Sequence, residues 1–160
     1  MRHPTLPPGT PAPPFTLPNQ RGEKQSLADY CLLGSVLVAF HRGTWCPNCR
    51  RQFGELAHHS MEYLSLGVQV VAIVTQRSEK VRRYIEETGL PFHILADDSR
   101  DVVKAYGVWH PVGFDAWNIA RPALFLVDRQ GIVRYSFVAA SQFEFPTHEE
   151  ILGEIVKATL

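Results

Sequence analysis

The feature that most constrains the fold is an apolar run followed by two cysteines and a helical pattern. Residues 35–41 are almost continuously apolar and include β-branched side chains, which is typical of a strand buried on both faces. Cys46 follows, and Pro47 suits the first turn of a helix that ends near Gly67. The expected inward stripe of this helix is Cys49, Phe53, Leu56, Ser60 and Leu64. The sequence therefore predicts a buried central strand that leads through a dithiol into a helix.

The C-x-x-C spacing places two thiols one helical turn apart at the start of that helix. Free backbone N–H groups and the helix dipole favour negative charge there, so we expect Cys46 to ionise more easily than a free thiol. If Cys46 is exposed at the helix tip and Cys49 faces inward, Cys46 attacks a substrate sulfur or oxygen, and Cys49 resolves the product as a disulfide. Arg42, Arg50 and Arg51 flank the pair. They either stabilise a thiolate or form a solvated surface.

Two other interpretations of the cysteine pair are half of a zinc site and a chance spacing of inert thiols. His58 and His59 are the nearest candidate zinc ligands. On the predicted helix they lie on the order of 13 Å beyond Cys49, too far to share an ion with the thiols. Dithiol chemistry needs neither a metal nor an organic cofactor.

Composition limits the partners of this chain. Lys plus Arg and Asp plus Glu balance at 16 each, so charge indicates neither a nucleic-acid partner nor an anionic membrane surface. No apolar run reaches the length of a membrane span. Three cysteines are too few for a disulfide framework, and the amino terminus lacks a signal-peptide pattern, so we expect a cytoplasmic protein.

The 160 residues fit one domain, in which residues 1–13 form an extended, proline-rich amino terminus. A small hairpin is expected over residues 15–27, ahead of the central strand. After the first helix, periodicity predicts a strand, a helix, a strand, a helix, a hairpin and a closing helix. These lie at residues 68–75, 79–88, 92–96, 100–106, 123–139 and 147–158. The alternation of strands and helices predicts an α/β fold.

Three further features have two interpretations each. We expect Cys31 to be a buried structural thiol, with an extra resolving cysteine as the alternative. His41, at the end of the central strand, is expected to be a hydrogen-bonded structural residue, with a proton acceptor as the alternative. The aromatic segment, residues 108–117, holds Trp109 and Trp117 and has no helical or alternating period. It is expected to be a loop packed by its own side chains, or else a lid or homodimer contact beside the dithiol.

A proline stands at the entry to a later predicted strand. Pro122 removes a hydrogen-bond donor from that strand, and such a proline sometimes follows a cis bond. Together with the upstream C-x-x-C, this position predicts a cis bond between Arg121 and Pro122, with an ordinary trans proline as the alternative.

Three stretches of the chain carry a family resemblance: GTPAPPFTL at residues 9–17, FHRGTWCPNCR at 40–50 and RPALFLVDRQG at 121–131. They resemble the thioredoxin superfamily, and within it the peroxiredoxin-like branch of alkyl hydroperoxide reductase and thiol-specific antioxidant proteins. The resemblance implies a thioredoxin-like, peroxiredoxin-type fold of three α/β/α layers with a central mixed sheet and an N-terminal β-hairpin. It also implies a thiolate at the start of the first helix and a strand-borne arginine near it, which Arg121 matches.

The chain departs from the family pattern at its cysteines. Peroxiredoxins carry P-x-x-x-T-x-x-C before the cysteine that attacks peroxide. If Cys49 takes that place, Arg42 and Cys46 stand where the proline and the threonine belong. If Cys46 takes that place, Ala39 and Gly43 stand at the positions of the proline and the threonine. Either register lacks the threonine hydroxyl that would orient the peroxide, so the identity of the cysteine that attacks peroxide stays open.

The resemblance implies catalysis of hydroperoxide reduction or thiol-disulfide exchange. The substrate would be a hydroperoxide or a disulfide, and the reductant a thioredoxin-type protein or a small thiol. We expect Cys46 to attack and Cys49 to resolve. We expect Pro122 to lie beside them and Arg121 to support a developing oxyanion or thiolate. The alternative from a different class is a non-catalytic thioredoxin-like module that docks a partner through the aromatic segment.

Overall fold

The computed structural model describes residues 6–112 and 117–159. Its elements in chain order are β1 (Thr16–Pro18), β2 (Lys24–Ser26), α1 (Leu27–Leu33), β3 (Ser35–Phe40), α2 (Pro47–Ser65), β4 (Val68–Val74), α3 (Ser78–Thr88), β5 (His93–Ala96), α4 (Asp101–Ala105), β6 (Trp109–Val112), β7 (Trp117–Ala120), β8 (Ala123–Val127), β9 (Val133–Val138) and α5 (His148–Thr159). The elements predicted from periodicity are present, and α1, β6 and β7 are additional. None of these helices is long and apolar enough to cross a membrane.

A five-stranded sheet in the order β5-β4-β3-β8-β9 forms the centre of the fold. β4 runs parallel to both β3 and β5, whereas β8 runs antiparallel to both β3 and β9. The crossover helices α2 and α3 account for the parallel strands, and a short turn joins the antiparallel pair β8 and β9. β1 and β2 form the separate hairpin near the amino terminus. The predicted thioredoxin-like α/β/α architecture with a mixed sheet is confirmed.

The side chains of β3 alternate between two apolar clusters on opposite faces of the sheet. Val36, Val38 and Phe40 belong to one cluster, together with residues of α1 and α4. Leu37 and Ala39 belong to the other, together with residues of α2, α3 and α5. Because both faces of the strand are covered by helices, both sets of alternating positions must be apolar. This burial explains the continuous apolar run in the sequence.

The described part of the amino terminus runs beside β9. The N–H of Gly9 donates to the Val133 carbonyl at 2.8 Å, and the N–H of Ala12 donates to the Gly131 carbonyl at 2.9 Å. Within the predicted extended terminus, residues 1–5 lie outside the described residues. The remainder is therefore held against the sheet by backbone hydrogen bonds.

The prediction of a loop for the aromatic segment is wrong for its described residues. They contribute β6 and β7, which pair as an antiparallel hairpin, while residues 113–116 lie outside the described part of the chain. The Trp109 indole N–H donates to Asn118 Oδ1 at 2.7 Å, across the two strands. Trp109 and Trp117 are both exposed. In β7 two exposed residues are followed by two buried ones, so this strand lacks the alternation of buried and exposed side chains on which a strand prediction depends.

Candidate active site

The two cysteines lie where the chain leaves β3 and begins α2. Cys46 is the N-cap residue of α2, and Pro47 occupies the first turn. The Cys46 sulfur accepts the backbone N–H of Cys49 at 3.5 Å, and the Cys46 carbonyl accepts the N–H of Arg50 at 2.9 Å. The predicted junction of strand, dithiol and helix is therefore present, with a backbone donor directed at the Cys46 sulfur.

Gln76, which follows β4, fixes the loop that leads into the helix. Its side-chain oxygen accepts the Thr44 N–H at 2.8 Å, and its side-chain nitrogen donates to the Thr44 hydroxyl at 3.1 Å. The Nε of Arg50 donates to the Thr44 carbonyl at 2.5 Å, and its guanidinium lies over the Tyr84 ring, 5.1 Å from the centroid. These contacts hold the loop before Cys46 in place. The Thr44 hydroxyl takes part in these contacts as an acceptor.

The Cys46 sulfur is fully buried, so the expectation of an exposed sulfur at the helix tip is wrong. One Arg42 guanidinium nitrogen lies 3.5 Å from this sulfur and donates to the Gln142 side-chain oxygen at 2.5 Å. The Asn48 amide donates to the same Gln142 oxygen at 3.3 Å, and the Cys46 sulfur lies 3.9 Å from it. Gln142 is 96 residues from Cys46 in the chain. The residues around the cysteines in the sequence therefore could not predict that Gln142 covers the Cys46 sulfur.

The two cysteines differ in their surroundings. Burial, followed by the adjacent Cys46 sulfur, raises the pKa of the Cys49 thiol to about 12. Cys49 is therefore a protonated thiol at neutral pH. The Cys46 sulfur instead has two donors close to it, the Cys49 N–H and the Arg42 guanidinium, each at 3.5 Å. Both thiols are free, so the structure shows the reduced dithiol.

The three arginines that flank the cysteines in sequence have different environments. Arg42 is only 6% exposed, contacts the Cys46 sulfur and lies over the Trp45 ring, 5.1 Å from its centroid. Arg50 holds the preceding loop, and Arg51 is exposed. The contact with the Cys46 sulfur is therefore made by Arg42, whereas Arg51 belongs to the solvated surface, a choice that sequence spacing alone left open.

A cavity of about 310 Å³ is bounded by Arg42 and Gln142, the two residues that cover the Cys46 sulfur. Arg42 and Gln142 form the wall nearest to Cys46, and Arg121 and Pro122 form another part of the lining. The structure thus brings two cationic side chains to one small cavity. Arg121 and Pro122 therefore line the same cavity as the two residues that cover Cys46.

The predicted cis bond between Arg121 and Pro122 is wrong. No peptide bond among the described residues is cis. The trans form is the one most X-Pro bonds adopt. In this form the Arg121 N–H donates to the Val108 carbonyl, and the Pro122 carbonyl accepts the N–H of Ala139, both at 2.8 Å. Regular backbone hydrogen bonds therefore hold the segment between β7 and β8 in place at the cavity wall.

Cys31 lies apart from the dithiol. It is half-buried on α1 and packs against the apolar cluster on the opposite face of the sheet from Cys46 and Cys49. Its S–H donates to the Asp128 carbonyl at 3.5 Å, and burial raises the pKa of this thiol. These observations favour the structural thiol over the extra resolving cysteine.

His41 is a buried neutral residue. Its ring packs against Phe53 and Phe145, with centroids 4.5 and 5.1 Å away. Burial lowers the pKa of His41 to about 3, and the nearby Gln52 amide offsets only part of this effect. Neither ring nitrogen has a hydrogen-bond partner among the described residues, so the expected hydrogen bond is not observed. So weak a base does not accept a proton from a thiol at neutral pH.

Comparisons with known proteins find both similar sequences and a similar fold. The family model described as "AhpC/TSA family" matches residues 8–136. Peroxiredoxin Bcp of Escherichia coli is 31% identical over 144 residues, which cover 88% of this chain and 89% of that protein. The thiol-disulfide oxidoreductase ResA of Bacillus subtilis is 30% identical over 126 residues, which cover 78% of this chain and 64% of ResA.

The fold also matches a solved structure. The crystal structure of peroxidoxin BcpB from Mycobacterium tuberculosis superposes with a TM-score of 0.83, at 18% sequence identity, and covers 96% of this chain and 97% of that chain. At this identity the match supports the architecture alone. None of these relatives supports the alternative of a non-catalytic binding module.

Proposed function

This chain belongs to the AhpC/TSA family and is a thiol-dependent oxidoreductase, and from that premise we propose that it reduces hydroperoxides through Cys46 and Cys49. The observation that carries the proposal is the buried Cys46 sulfur at the start of α2, with the Arg42 guanidinium 3.5 Å away. The adjacent cavity of about 310 Å³ suits a small oxidant. A protein disulfide would instead have to bring its own sulfur into contact with Cys46.

In the first step the Gln142 side chain moves away from Cys46, and the Cys46 thiolate attacks the terminal oxygen of a hydroperoxide that enters from the cavity. The O–O bond breaks, the sulfur is oxidised to a sulfenic acid, and the alkoxide that leaves takes a proton from solvent to become an alcohol. Arg42 and Arg121, which both line the cavity, stabilise the negative charge that develops on the leaving oxygen. Pro122 supports this site as part of the cavity wall.

In the second step the Cys49 thiol attacks the Cys46 sulfenic acid. Water leaves and a disulfide forms between the two residues. The Cys46 sulfur already lies 3.5 Å from the Cys49 backbone nitrogen, so the two side chains are close. A thioredoxin-type protein or a small thiol then supplies two electrons and two protons to restore the dithiol. The cytoplasm holds such reductants, and we place the protein there.

Thiol-disulfide exchange is the second candidate function, and an exposed surface favours it. Trp45 and Trp117, 44% and 76% exposed, line a second cavity of about 330 Å³ together with Arg42 and Arg100. This surface would hold a protein substrate once Gln142 moves away from Cys46. It would equally serve a homodimer contact, which stays a prediction.

Stopped-flow mixing of the reduced protein with hydrogen peroxide, and separately with an oxidised protein disulfide, tests the proposal. Thiol loss with peroxide at rates far above that of free cysteine supports the peroxidase. Fast loss with the disulfide alone favours exchange. Rates no higher than those of free cysteine with either oxidant contradict both functions. The Cys31→Ser variant is the control, because Cys31 lies outside the site and its replacement leaves the rates unchanged.

A further inference from the structure

A group of metal-ligating side chains lies where α2 meets the start of α5. His59 and Glu62 are one helical turn apart on α2, and His148 is the first residue of α5. One ligand atom from each of the three side chains lies within 4.8 Å of the others. We propose that His59, Glu62 and His148 form a binding site for a divalent transition-metal ion of the zinc type. Neither the family membership nor the dithiol chemistry assigns a role to this cluster.

The distances single out the ligand atoms. His148 Nε2 lies 3.1 Å from Glu62 Oε1, and His59 Nδ1 lies 3.9 Å from the same oxygen. Two imidazole nitrogens and one carboxylate oxygen are a donor set that Zn²⁺ uses, with a fourth position left for water. Mg²⁺ and Ca²⁺ prefer oxygen ligands throughout, so the two imidazoles select against them.

Neighbouring side chains orient both histidines. The Tyr63 hydroxyl lies 2.9 Å from His148 Nδ1, and Glu55 Oε2 lies 3.9 Å from His59 Nε2. Partners of this kind fix the nitrogen that remains for the ion. When an ion takes the Nε2 lone pair of His148, the ring proton resides on Nδ1 and donates to the Tyr63 oxygen. The hydroxyl serves either tautomer, because it both donates and accepts.

The local field favours a cation. The Glu55 and Glu62 carboxylates lie within 4 Å of histidine ring nitrogens, and Glu149 lines the same cavity as both histidines. Three carboxylates therefore surround one small region between the two helices. Both histidine side chains are half-buried, at 22% and 19% exposed, whereas Glu62 is exposed and leaves the site open to solvent on one side.

Binding requires one rearrangement. The His59 and His148 rings stack face to face, with centroids 3.5 Å apart and planes within 8° of parallel. Stacked rings direct their nitrogen lone pairs side by side, so His59 must rotate about its side-chain torsions to reach the ion bound by His148. A cavity of about 380 Å³, lined by His59, Tyr63 and His148, provides the space. The ion would then tie α2 to the start of α5.

Zinc titration by calorimetry tests the site in the full chain carrying Cys46→Ser and Cys49→Ser, which removes the thiols as competing ligands. We expect one Zn²⁺ per chain and no binding of Mg²⁺. Adding His148→Ala or Glu62→Gln weakens Zn²⁺ binding by more than about tenfold, and Tyr63→Phe by about tenfold. The matched control is His58→Ala, which removes an exposed histidine beside His59 and leaves affinity unchanged.

A second readout separates ligation from misfolding. Zn²⁺ raises the melting temperature of the chain that carries Cys46→Ser and Cys49→Ser. It fails to do so when Glu62→Gln, which keeps the size of the side chain, is added. Absence of zinc binding overturns the proposal. An equal loss of affinity in His58→Ala and His148→Ala also overturns it, because that result indicates diffuse surface binding. Neither result bears on the peroxidase, which the stopped-flow rates test separately.

Discussion

Replacing each cysteine of the dithiol in turn decides which sulfur attacks the peroxide. The family motif aligned without gaps places Cys49 at the attacking position, whereas the helix start and the Arg42 contact favour Cys46. We expect Cys46→Ser to abolish the fast reaction with hydrogen peroxide. We expect Cys49→Ser to keep it and to accumulate a sulfenic acid on Cys46, because no resolving thiol remains.

The magnitude follows from the environment of Cys49. Its pKa is raised from 9.0 to about 12, so at neutral pH its thiolate population is about 1000-fold below that of an ordinary thiol. A more basic thiolate is also more nucleophilic, which offsets roughly 15- to 30-fold of this loss. Cys46→Ser leaves burial, the largest cause of the shift, in place, but it removes the contribution of the Cys46 sulfur. The lower thiolate population should therefore slow the variant by at most about 30- to 60-fold relative to free cysteine.

Stopped-flow rates give the first step, and peptide mass analysis after trapping with dimedone identifies the oxidised residue. Each variant is compared with Cys31→Ser, which keeps both site thiols. The reasoning is refuted if Cys46→Ser retains the rate of the unaltered protein, or if Cys49→Ser loses it. Either outcome would make Cys49 the attacking residue despite its burial, and would require the helix to open around it during turnover.

Three other changes probe the site and its surroundings. Arg42→Met should lower the rate with peroxide by about 10- to 100-fold, because a hydrogen bond to a charged group contributes about 1.5–3 kcal/mol; an unchanged stopped-flow rate would remove Arg42 from the mechanism. Gln142→Ala should speed alkylation of Cys46 by neutral iodoacetamide several-fold, since it uncovers the sulfur, and equal labelling kinetics would show that another residue is the cover. The pKa of His41 is lowered from 6.5 to about 3 by burial, so its neutral form stabilises the fold fully above about pH 6.5. This stability is lost as pH falls toward 3, by about 1.4 kcal/mol per pH unit. His41→Leu should flatten this dependence in urea unfolding at about pH 7 and pH 5, and an identical slope in both proteins would contradict the burial argument.

Local periodicity predicted most of the fold because the relevant signals lie within single elements. The apolar run of β3 and the proline after Cys46 each need only neighbouring residues to be recognised. The periodicity was less accurate at the far end of α2. There Tyr63 is buried and Leu64 is 53% exposed, although Leu64 was expected on the inward stripe. Contact with α5, which includes the hydrogen bond between Tyr63 and His148, decides which face of the last turns is covered.

The sequence by itself determined the α/β architecture, the dithiol at the junction of strand and helix, and the inward position of Cys49. Only the tertiary structure decided which arginine contacts the Cys46 sulfur, what covers it, and that Arg121 and Pro122 reach the same cavity as Arg42. The physical reason is how far apart in the sequence the interacting residues lie. Helix starts and strand burial depend on adjacent residues, whereas the charge and access of a sulfur depend on side chains that folding brings from distant parts of the chain.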